Sequence, residues 1–84
     1  MITWTDKAWE QYLEWQRENK KIVKRINTLI FDIDRNGILK GIGKPEALKG
    51  SKACSRRIDD EHRLVYSMED GNIVIYACRG HYEE

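Results

Sequence analysis

The chain has 84 residues, of which 40% are hydrophobic and 35% are charged, and its formal net charge is +1. This size and balance predict one folded domain over residues 1–84 and exclude two independent cores or a disordered tail. No apolar run approaches the roughly 18 residues of a membrane span, and the first residues lack the pattern of a signal peptide. We therefore expect a cytoplasmic protein with no membrane partner. The two cysteines are too few for a disulfide framework or a zinc site.

The first half of the chain has the spacing of a short strand followed by two helices. Ile2-Thr3-Trp4 reads as the strand, and Thr5 or Asp6 can cap the helix after it. Apolar residues then recur at helical spacing to about residue 18, and again up to the stop signal Asn36-Gly37. The two stripes contain Ala8, Trp9, Tyr12, Leu13 and Trp15, then Ile22, Ile26, Leu29 and Ile33. We expect an antiparallel helix hairpin, with the tryptophans in the core rather than free to stack on bases.

The second half reads as a loop followed by three strands. Residues 37–52 contain several glycines and the only proline, but Gly37 and Gly43 are too far apart for a phosphate-binding loop, and Pro45 occupies its Ser/Thr position. Strands are predicted at 53–58, 62–68 and 72–79, with turn signals between them. A short N-terminal strand and a helix hairpin packed on a small antiparallel sheet make an α+β domain. The second helix should pack on the sheet face that carries Leu64, Tyr66 and Met68.

The charge of the chain is unevenly distributed. Residues 36–58 contain six basic side chains (Lys40, Lys44, Lys49, Lys52, Arg56 and Arg57) and one acidic side chain, Glu46. A local basic surface on a nearly neutral protein favours an anionic partner. The alternative is a solvated lysine-rich loop, and charge alone does not decide between the two.

Arginines and histidines stand among apolar residues in the predicted strands. Arginines on neighbouring strands form a rigid set of donors for phosphate oxygens, and a histidine adds a group that exchanges a proton near neutral pH. Because side chains alternate along a strand, Arg56 and Arg57 cannot share one role. Arg56 lies on the side of Cys54 and is interpreted as structural, as is His62. The pattern points to chemistry on a phosphodiester.

Three motifs in the second half carry a specific resemblance. They are Gly43-Lys44-Pro45-Glu46-x-Leu48-Lys49, Ser55-Arg56-Arg57-Ile58-x-x-Glu61-His62-Arg63-Leu64-Val65-Tyr66 and Cys78-Arg79-x-His81-Tyr82. Together they resemble the YoeB/Txe branch of the RelE-type toxins, over essentially the whole chain. The resemblance implies a RelE-like microbial ribonuclease fold and the toxin component of a type II toxin–antitoxin system. Such toxins are endoribonucleases that cleave messenger RNA in the ribosomal A site and so inhibit translation.

The resemblance assigns a role to each matching residue. Glu46 would be the general base for the ribose 2′-hydroxyl, His81 the general acid for the leaving 5′-oxygen, and Arg63, helped by Arg57, the group that stabilises the phosphate. Tyr82 would orient the substrate or stack on a base. Lys44 and Lys49 would hold the flanking phosphates. No metal or cofactor is implied. Glu46, Arg63 and His81 should therefore converge on one cleft, with Arg57 on its rim.

The register of the last hairpin decides whether Arg63 and His81 meet. A two-residue turn at Asp70-Gly71 would leave them on opposite faces of a regular hairpin. A three-residue loop over 70–72, or a bulge at Gly80, would bring them together. We predict one of the latter two arrangements, because the chemistry needs both side chains.

The resemblance also implies partners. They are messenger RNA on the ribosome and a cognate antitoxin of the YefM/Axe type, and a homodimer is left open. An acidic or amphipathic antitoxin segment should lie across Lys44, Lys49, Arg57 and Arg63, displacing His81-Tyr82. The alternative function is a non-catalytic RNA- or ribosome-binding module of the same fold. Taken without the resemblance, Glu46 could simply pair with Lys49 at the surface. A third is a protein-binding module that binds no RNA.

Overall fold

The structure is a computed structural model that describes residues 1–81 as two helices and one five-stranded sheet. The elements are β1 (Ile2–Trp4), α1 (Asp6–Glu18), α2 (Lys20–Asn36), β2 (Glu46–Ala47), β3 (Cys54–Arg57), β4 (Arg63–Glu69) and β5 (Asn72–Ala77). The strand order is β1-β5-β4-β3-β2. The predicted α+β class is confirmed, with two refinements. β1 pairs parallel to β5, so the sheet is mixed, and the loop contains the additional strand β2.

One asparagine forms the corner of the helix hairpin. The backbone N–H of Asn19 donates to the carbonyl of Trp15 at 2.9 Å and ends α1. Its side-chain Oδ1 accepts a hydrogen bond from the N–H of Lys21 at 3.1 Å and begins α2. At the other end of α1, the hydroxyl of Thr5 accepts from the N–H of Ala8, as the sequence predicts. These caps supply partners for backbone groups that helix ends otherwise leave unpaired.

The core lies between α2 and one face of the sheet. Its buried side chains include Ile22, Ile26, Leu29 and Ile33 of α2 with Leu64, Tyr66, Ile73 and Ile75 of the sheet. Met68 was expected among them but is 37% exposed. The reason is that β3 pairs with β4 only over residues 63–66, so Met68 lies past the end of β3 and does not pair with that strand.

The prediction that the tryptophans are core residues holds for Trp15 and partly for Trp4, which is half-buried against the core, but not for Trp9. Trp15 is buried, whereas Trp9 is 45% exposed and Leu13 is 41% exposed. α1 turns a narrow face with Ala8 and Trp15 towards the core. Trp9 instead packs at the surface beside the rings of Trp4 and Tyr12, with centroids 5.8 and 5.7 Å away. The helical period was right, but the buried stripe is narrower than the apolar stripe.

The β4–β5 hairpin has a two-residue turn, so the predicted three-residue loop is wrong. Glu69 pairs with Asn72, and the two turn residues, Asp70 and Gly71, have φ of 51° and 80°, values that suit a type I′ hairpin turn. The register then shifts by one residue within the ladder, between Val65 and Tyr66. A bulge therefore does exist, in the middle of the hairpin, whereas Gly80 lies beyond the end of β5. It changes which residues of the last segment lie beside Arg63.

Other features of the described residues concern membranes, metals and thiols. Within residues 1–81, neither helix is long and apolar enough to cross a bilayer. Across the same residues, no three His, Cys, Asp or Glu side chains cluster in a way that could hold a metal ion.

Cys54 and Cys78 are both buried and free, and burial raises the pKa of Cys78 to about 12. Both thiols therefore serve as packing groups.

Candidate active site on the open face of the sheet

The loop that leads to Glu46 is organised around the buried guanidinium of Arg56. Its Nη1 donates to Asp32 and, at 3.0 Å, to the carbonyl of Ile42, while Nη2 donates to the carbonyls of Gly37 and Lys40 at 2.8 and 2.7 Å. Its Nε donates to the hydroxyl of Tyr66 at 2.9 Å. The structural role predicted for Arg56 is thus confirmed. The hydrogen bond from Arg56 is the main reason that the pKa of Asp32 lies below its ordinary value.

Gly43 lets the loop pass closely over the sheet. Its carbonyl accepts a hydrogen bond from the N–H of Arg57 at 2.7 Å. A Cβ at this position would lie 2.7 Å from the Cδ2 of Leu29, and φ is 82°, which few side chains tolerate. The following Lys44 also has a positive φ of 51°. The chain then enters β2, where Glu46 pairs with Ser55 of β3.

Strand pairing brings the polar side chains to the sheet face that points away from the helices. Glu46 lies opposite Ser55, and Arg57 lies opposite Arg63. Ser55 and Arg57 are two residues apart, so they share one face of β3, while Arg56 points to the other. The predicted alternation of Arg56 and Arg57 is therefore what separates a buried arginine from an exposed one.

These side chains line a cleft of about 190 Å³. Its lining residues are Lys44, Glu46, Leu48, Ser55, Arg57, Arg63 and His81. Glu46, Arg63 and His81 thus lie at one cleft together with Arg57 and Lys44, as expected. Lys49 is exposed, two residues beyond β2, and is not among the lining residues. Tyr82 lies outside the described residues.

The guanidinium of Arg63 is oriented by the turn before β4. Its Nη1 donates to the carbonyl of Asp59 at 2.8 Å and to that of His62 at 3.1 Å. The Asp59 carboxylate in turn accepts from the N–H groups of Glu61 and His62 at 2.9 and 2.7 Å. Burial alone would raise the pKa of Asp59, but these hydrogen bonds outweigh it and lower the pKa. The turn that orients Arg63 is therefore itself held in place by hydrogen bonds.

The segment before His81 is fixed to α1. The N–H of Cys78 donates to Oε1 of Gln11 at 2.7 Å, and Nε1 of Trp15 donates to the carbonyl of Cys78 at 2.9 Å. Arg79 lies 4.3 Å from the Trp15 ring centroid and forms an ion pair with Glu18 at 2.8 Å. Arg79 therefore belongs to this anchor and not to the cleft.

His62 holds Gly80, the residue that follows Arg79, and this agrees with the structural role predicted for His62. Its Nδ1 accepts a hydrogen bond from the N–H of Gly80 at 2.8 Å. The carbonyl of Gly80 accepts from the N–H of Arg63 at 2.9 Å. His81 follows directly and lines the cleft on the side of Arg63.

Sequence reasoning missed three residues at or beside the cleft. Ser55 and Leu48 line it, and Lys7 lines an adjoining cavity of about 110 Å³ that also borders Arg63 and His81. Ser55 could have been found, because it lies two positions before Arg57 on the same strand. Lys7 carried no such signal, since only the packing of α1 on β5 brings it there.

Comparison with known proteins agrees with this fold. Residues 4–82 match a family model described as a YoeB-like toxin of a bacterial type II toxin–antitoxin system. The toxin YoeB of Streptomyces coelicolor is 53% identical over 83 residues, which cover 96% of this chain and 98% of that protein. A heterotetrameric YoeB–YefM toxin–antitoxin complex from Staphylococcus aureus contains a chain that is 51% identical, with a TM-score of 0.92 and coverage of 98% and 97%.

A second staphylococcal structure is that of a YoeB dimer. Its chain is 52% identical to this one, with a TM-score of 0.92 and coverage of 96% of this chain and 95% of that one. Identity at this level over nearly the full length is far above what fold similarity alone requires. The chain therefore belongs to the family of YoeB-like toxins of bacterial type II toxin–antitoxin systems.

Proposed function

We propose that this toxin is an endoribonuclease that cleaves messenger RNA in the ribosomal A site and thereby inhibits translation. The observation that carries the proposal is the meeting of Glu46, Arg63 and His81 at one cleft, although they come from three separate segments of the chain. The cleft supplies the three groups that RNA cleavage by its own 2′-hydroxyl needs: a base, an acid and a cation for the phosphate.

The proposed reaction is an internal transfer at phosphorus. Glu46 accepts the proton of the 2′-hydroxyl as the 2′-oxygen attacks the phosphorus. The bond from phosphorus to the 5′-oxygen breaks, and His81 donates a proton to that oxygen. The products are a 2′,3′-cyclic phosphate and a 5′-hydroxyl, so no metal, cofactor or external nucleophile enters the balance. Each positioned acid or base contributes about 10²–10⁴ in rate.

The arginines act on the charge of the transition state. Arg63, whose plane is set by two backbone carbonyls, donates to the non-bridging oxygens, and Arg57 assists from the paired position on β3. A preorganised donor of this kind is worth about 10²–10³ in rate. Lys44 and Lys49 hold the flanking phosphates, and Tyr82 orients or stacks on a base.

The ribosome is proposed as the place where the site becomes complete. Glu46 and His81 are both exposed in the free protein, so water can exchange protons with them and can take their places as hydrogen-bond partners of the substrate. A surrounding surface of ribosomal RNA would exclude that water and hold the message in line with the acid and the base. Cleavage of free RNA should accordingly be poor.

The proposed protein partner is an antitoxin of the YefM type, because a staphylococcal relative has been solved in complex with YefM. An acidic or amphipathic segment of it would lie across Lys44, Lys49, Arg57 and Arg63. Hydrogen bonds and an ion pair hold Cys78, Arg79 and Gly80 in place. The displacement that such a segment could cause would therefore begin at His81. A homodimer, as in the other staphylococcal structure, is proposed as a further assembly.

Replacing the acid and the base separately tests the proposal. Glu46→Gln and His81→Ala should each reduce cleavage on translating ribosomes by about 10²–10⁴, mapped by primer extension, while ribosome binding is retained. Glu10→Gln, an exposed carboxylate on α1 away from the cleft, is the matched control and should cleave normally. A non-catalytic binding module would produce no cleavage in the unaltered protein. Full cleavage by both variants would remove Glu46 and His81 from the mechanism.

A further inference from the structure

We propose that His62 is a positioning residue, which holds the backbone of Gly80 and thereby aims His81 into the cleft. The inference rests on the proposed function, since it takes His81 as the general acid. The interaction that carries it is the 2.8 Å hydrogen bond from the N–H of Gly80 to Nδ1 of His62. Because Gly80 directly precedes His81, this bond fixes the backbone from which the His81 side chain extends.

The bond also defines the chemical state of His62. Nδ1 accepts a hydrogen bond, so the ring is neutral and its proton lies on Nε2. Nε2 is 3.8 Å from Oε1 of Glu61, and the Trp15 ring meets the imidazole edge-on at 4.8 Å. The side chain is only 14% exposed. The ring is therefore held between α1 and the turn before β4, with its acceptor nitrogen directed at the last segment.

Gly80 is held from both sides by consecutive residues. His62 accepts from its N–H, and the N–H of Arg63 donates to its carbonyl at 2.9 Å. Arg63 is also the proposed phosphate ligand. The pair His62-Arg63 therefore links the position of the phosphate-binding guanidinium to the position of the acid through one residue, Gly80. An error of about 1 Å in such an arrangement can cost on the order of 10² in rate.

The local anchors make this role separable from folding. Cys78 and Arg79 are fixed to α1 through Gln11, Trp15 and Glu18. His62 takes part in none of these hydrogen bonds and ion pairs, and of the three side chains Trp15 is the one whose ring packs against it. Loss of the His62 acceptor should therefore release Gly80 and His81 while the preceding residues stay in place. A role confined to stability would instead lower the free energy of unfolding and leave the folded enzyme equally active.

Three substitutions of His62 test the inference. In His62→Asn the amide oxygen can occupy the place of Nδ1, because both atoms are two bonds from Cβ. In His62→Gln the oxygen lies one bond further, and His62→Ala has no acceptor. We expect kcat on ribosome-bound message to fall on the order of 10²-fold in His62→Ala and His62→Gln, with KM unchanged, and to recover to within a few-fold in His62→Asn. Hydrogen exchange at the Gly80 amide should accelerate in the first two variants only.

The outcomes separate this inference from the proposed function. Equal kcat in His62→Asn and His62→Gln, or an unchanged Gly80 exchange rate in both His62→Ala and His62→Gln, would overturn the positioning role. If His62→Ala does not fold, the Asn and Gln pair carries the same comparison. His81→Ala is assayed alongside: full cleavage by that variant would overturn the role of His81 in the proposed function, whereas the Gly80 exchange rates would still report on the His62 bond.

Discussion

Arg56 and Arg57 are neighbours on β3, yet the molecule uses them in opposite ways. Arg56 is fully buried, and its guanidinium is surrounded by a carboxylate, a phenol and three backbone carbonyls. Arg57 is exposed and lines the cleft. Strand alternation alone separates them. One arginine thus holds the loop in place on the helix-facing side of the sheet, and its neighbour lines the cleft on the opposite side.

The difference extends to the two faces of the sheet as a whole. The helix-facing side satisfies its polar groups internally, and no buried side-chain nitrogen or oxygen among the described residues lacks a hydrogen-bond partner. On the open side, the described residues that line the cleft include Lys44, Arg57 and Arg63 with a single carboxylate, Glu46. The helix-facing side therefore carries stability, and the charge of the open side suits the anionic substrate proposed above.

The most direct test of the different roles of Arg56 and Arg57 is to replace each arginine in turn. Arg56→Met removes a fully buried charge and its hydrogen bonds to the partly buried Asp32 and to three backbone carbonyls, so the free energy of unfolding should fall by about 3–5 kcal/mol. Arg57→Met, the matched change one residue away, should alter it by less than about 0.5 kcal/mol. Urea denaturation of both variants measures this. Similar losses in the two would contradict the division between the faces.

A second test concerns the apolar part of the helix-facing side. Ile26 is fully buried on α2, so Ile26→Ala should cost about 2–5 kcal/mol through the cavity it leaves. Phe31 on the same helix is 63% exposed, and Phe31→Ala is the control, with an expected change below about 0.5 kcal/mol. A loss under half a kilocalorie for Ile26→Ala would show that α2 does not pack as described.

The open side can be tested through its charge. The double substitution Lys44→Glu and Lys49→Glu should slow association with an acidic antitoxin segment about tenfold, because steering by opposite charge is lost. Cleavage should weaken as well. Stopped-flow association at two salt concentrations measures the effect, and Lys21→Glu on the exposed side of α2 is the control. Unchanged antitoxin affinity with lost cleavage would show that the two partners use different surfaces.

The smallest expected effect is a pH dependence on the helix-facing side. The hydrogen bond from Arg56 lowers the pKa of Asp32 in the folded state, so the folded protein binds fewer protons there than the unfolded chain. This contribution to stability is present above the unfolded pKa of about 3.9 and is lost as the pH falls through the folded value. Unfolding measured between pH 2 and 6 should show a shallower slope in Asp32→Asn. An identical slope would remove Asp32 from the acid sensitivity.

The helices and the three longer strands could be predicted from the sequence because each has enough length for a period to show. The caps at Thr5 and Asn19 and the stop at Gly37 mark their ends chemically. β2 could not be predicted, since a strand of two residues is too short to show a period. The bulge inside the β4–β5 hairpin has no glycine or proline to mark it, so the register had to come from the structure.

The candidate site followed from motifs and not from periodicity. Resemblance named Glu46, Arg63 and His81, and strand alternation assigned Arg56 and Arg57 to different faces. What the sequence could not supply is the scaffold: the set of carbonyls around Arg56, the contact between Trp15 and Arg79, and the bond from Gly80 to His62. Each joins residues far apart in the chain or depends on backbone groups, which every residue carries.

The most direct test of the central claim, that the open face cleaves RNA by acid–base chemistry, replaces the scissile 5′-oxygen of the message by sulfur. A thiol releases its proton near pH 8.5, far more readily than an alcohol, so a sulfur leaving group needs little help from an acid. We predict that His81→Ala, slowed about 10²–10⁴ on ordinary message, cleaves the sulfur-substituted message nearly as fast as the unaltered toxin, whereas Glu46→Gln stays slow on both. An equal defect of His81→Ala on the two messages would contradict the assignment of His81 as the acid.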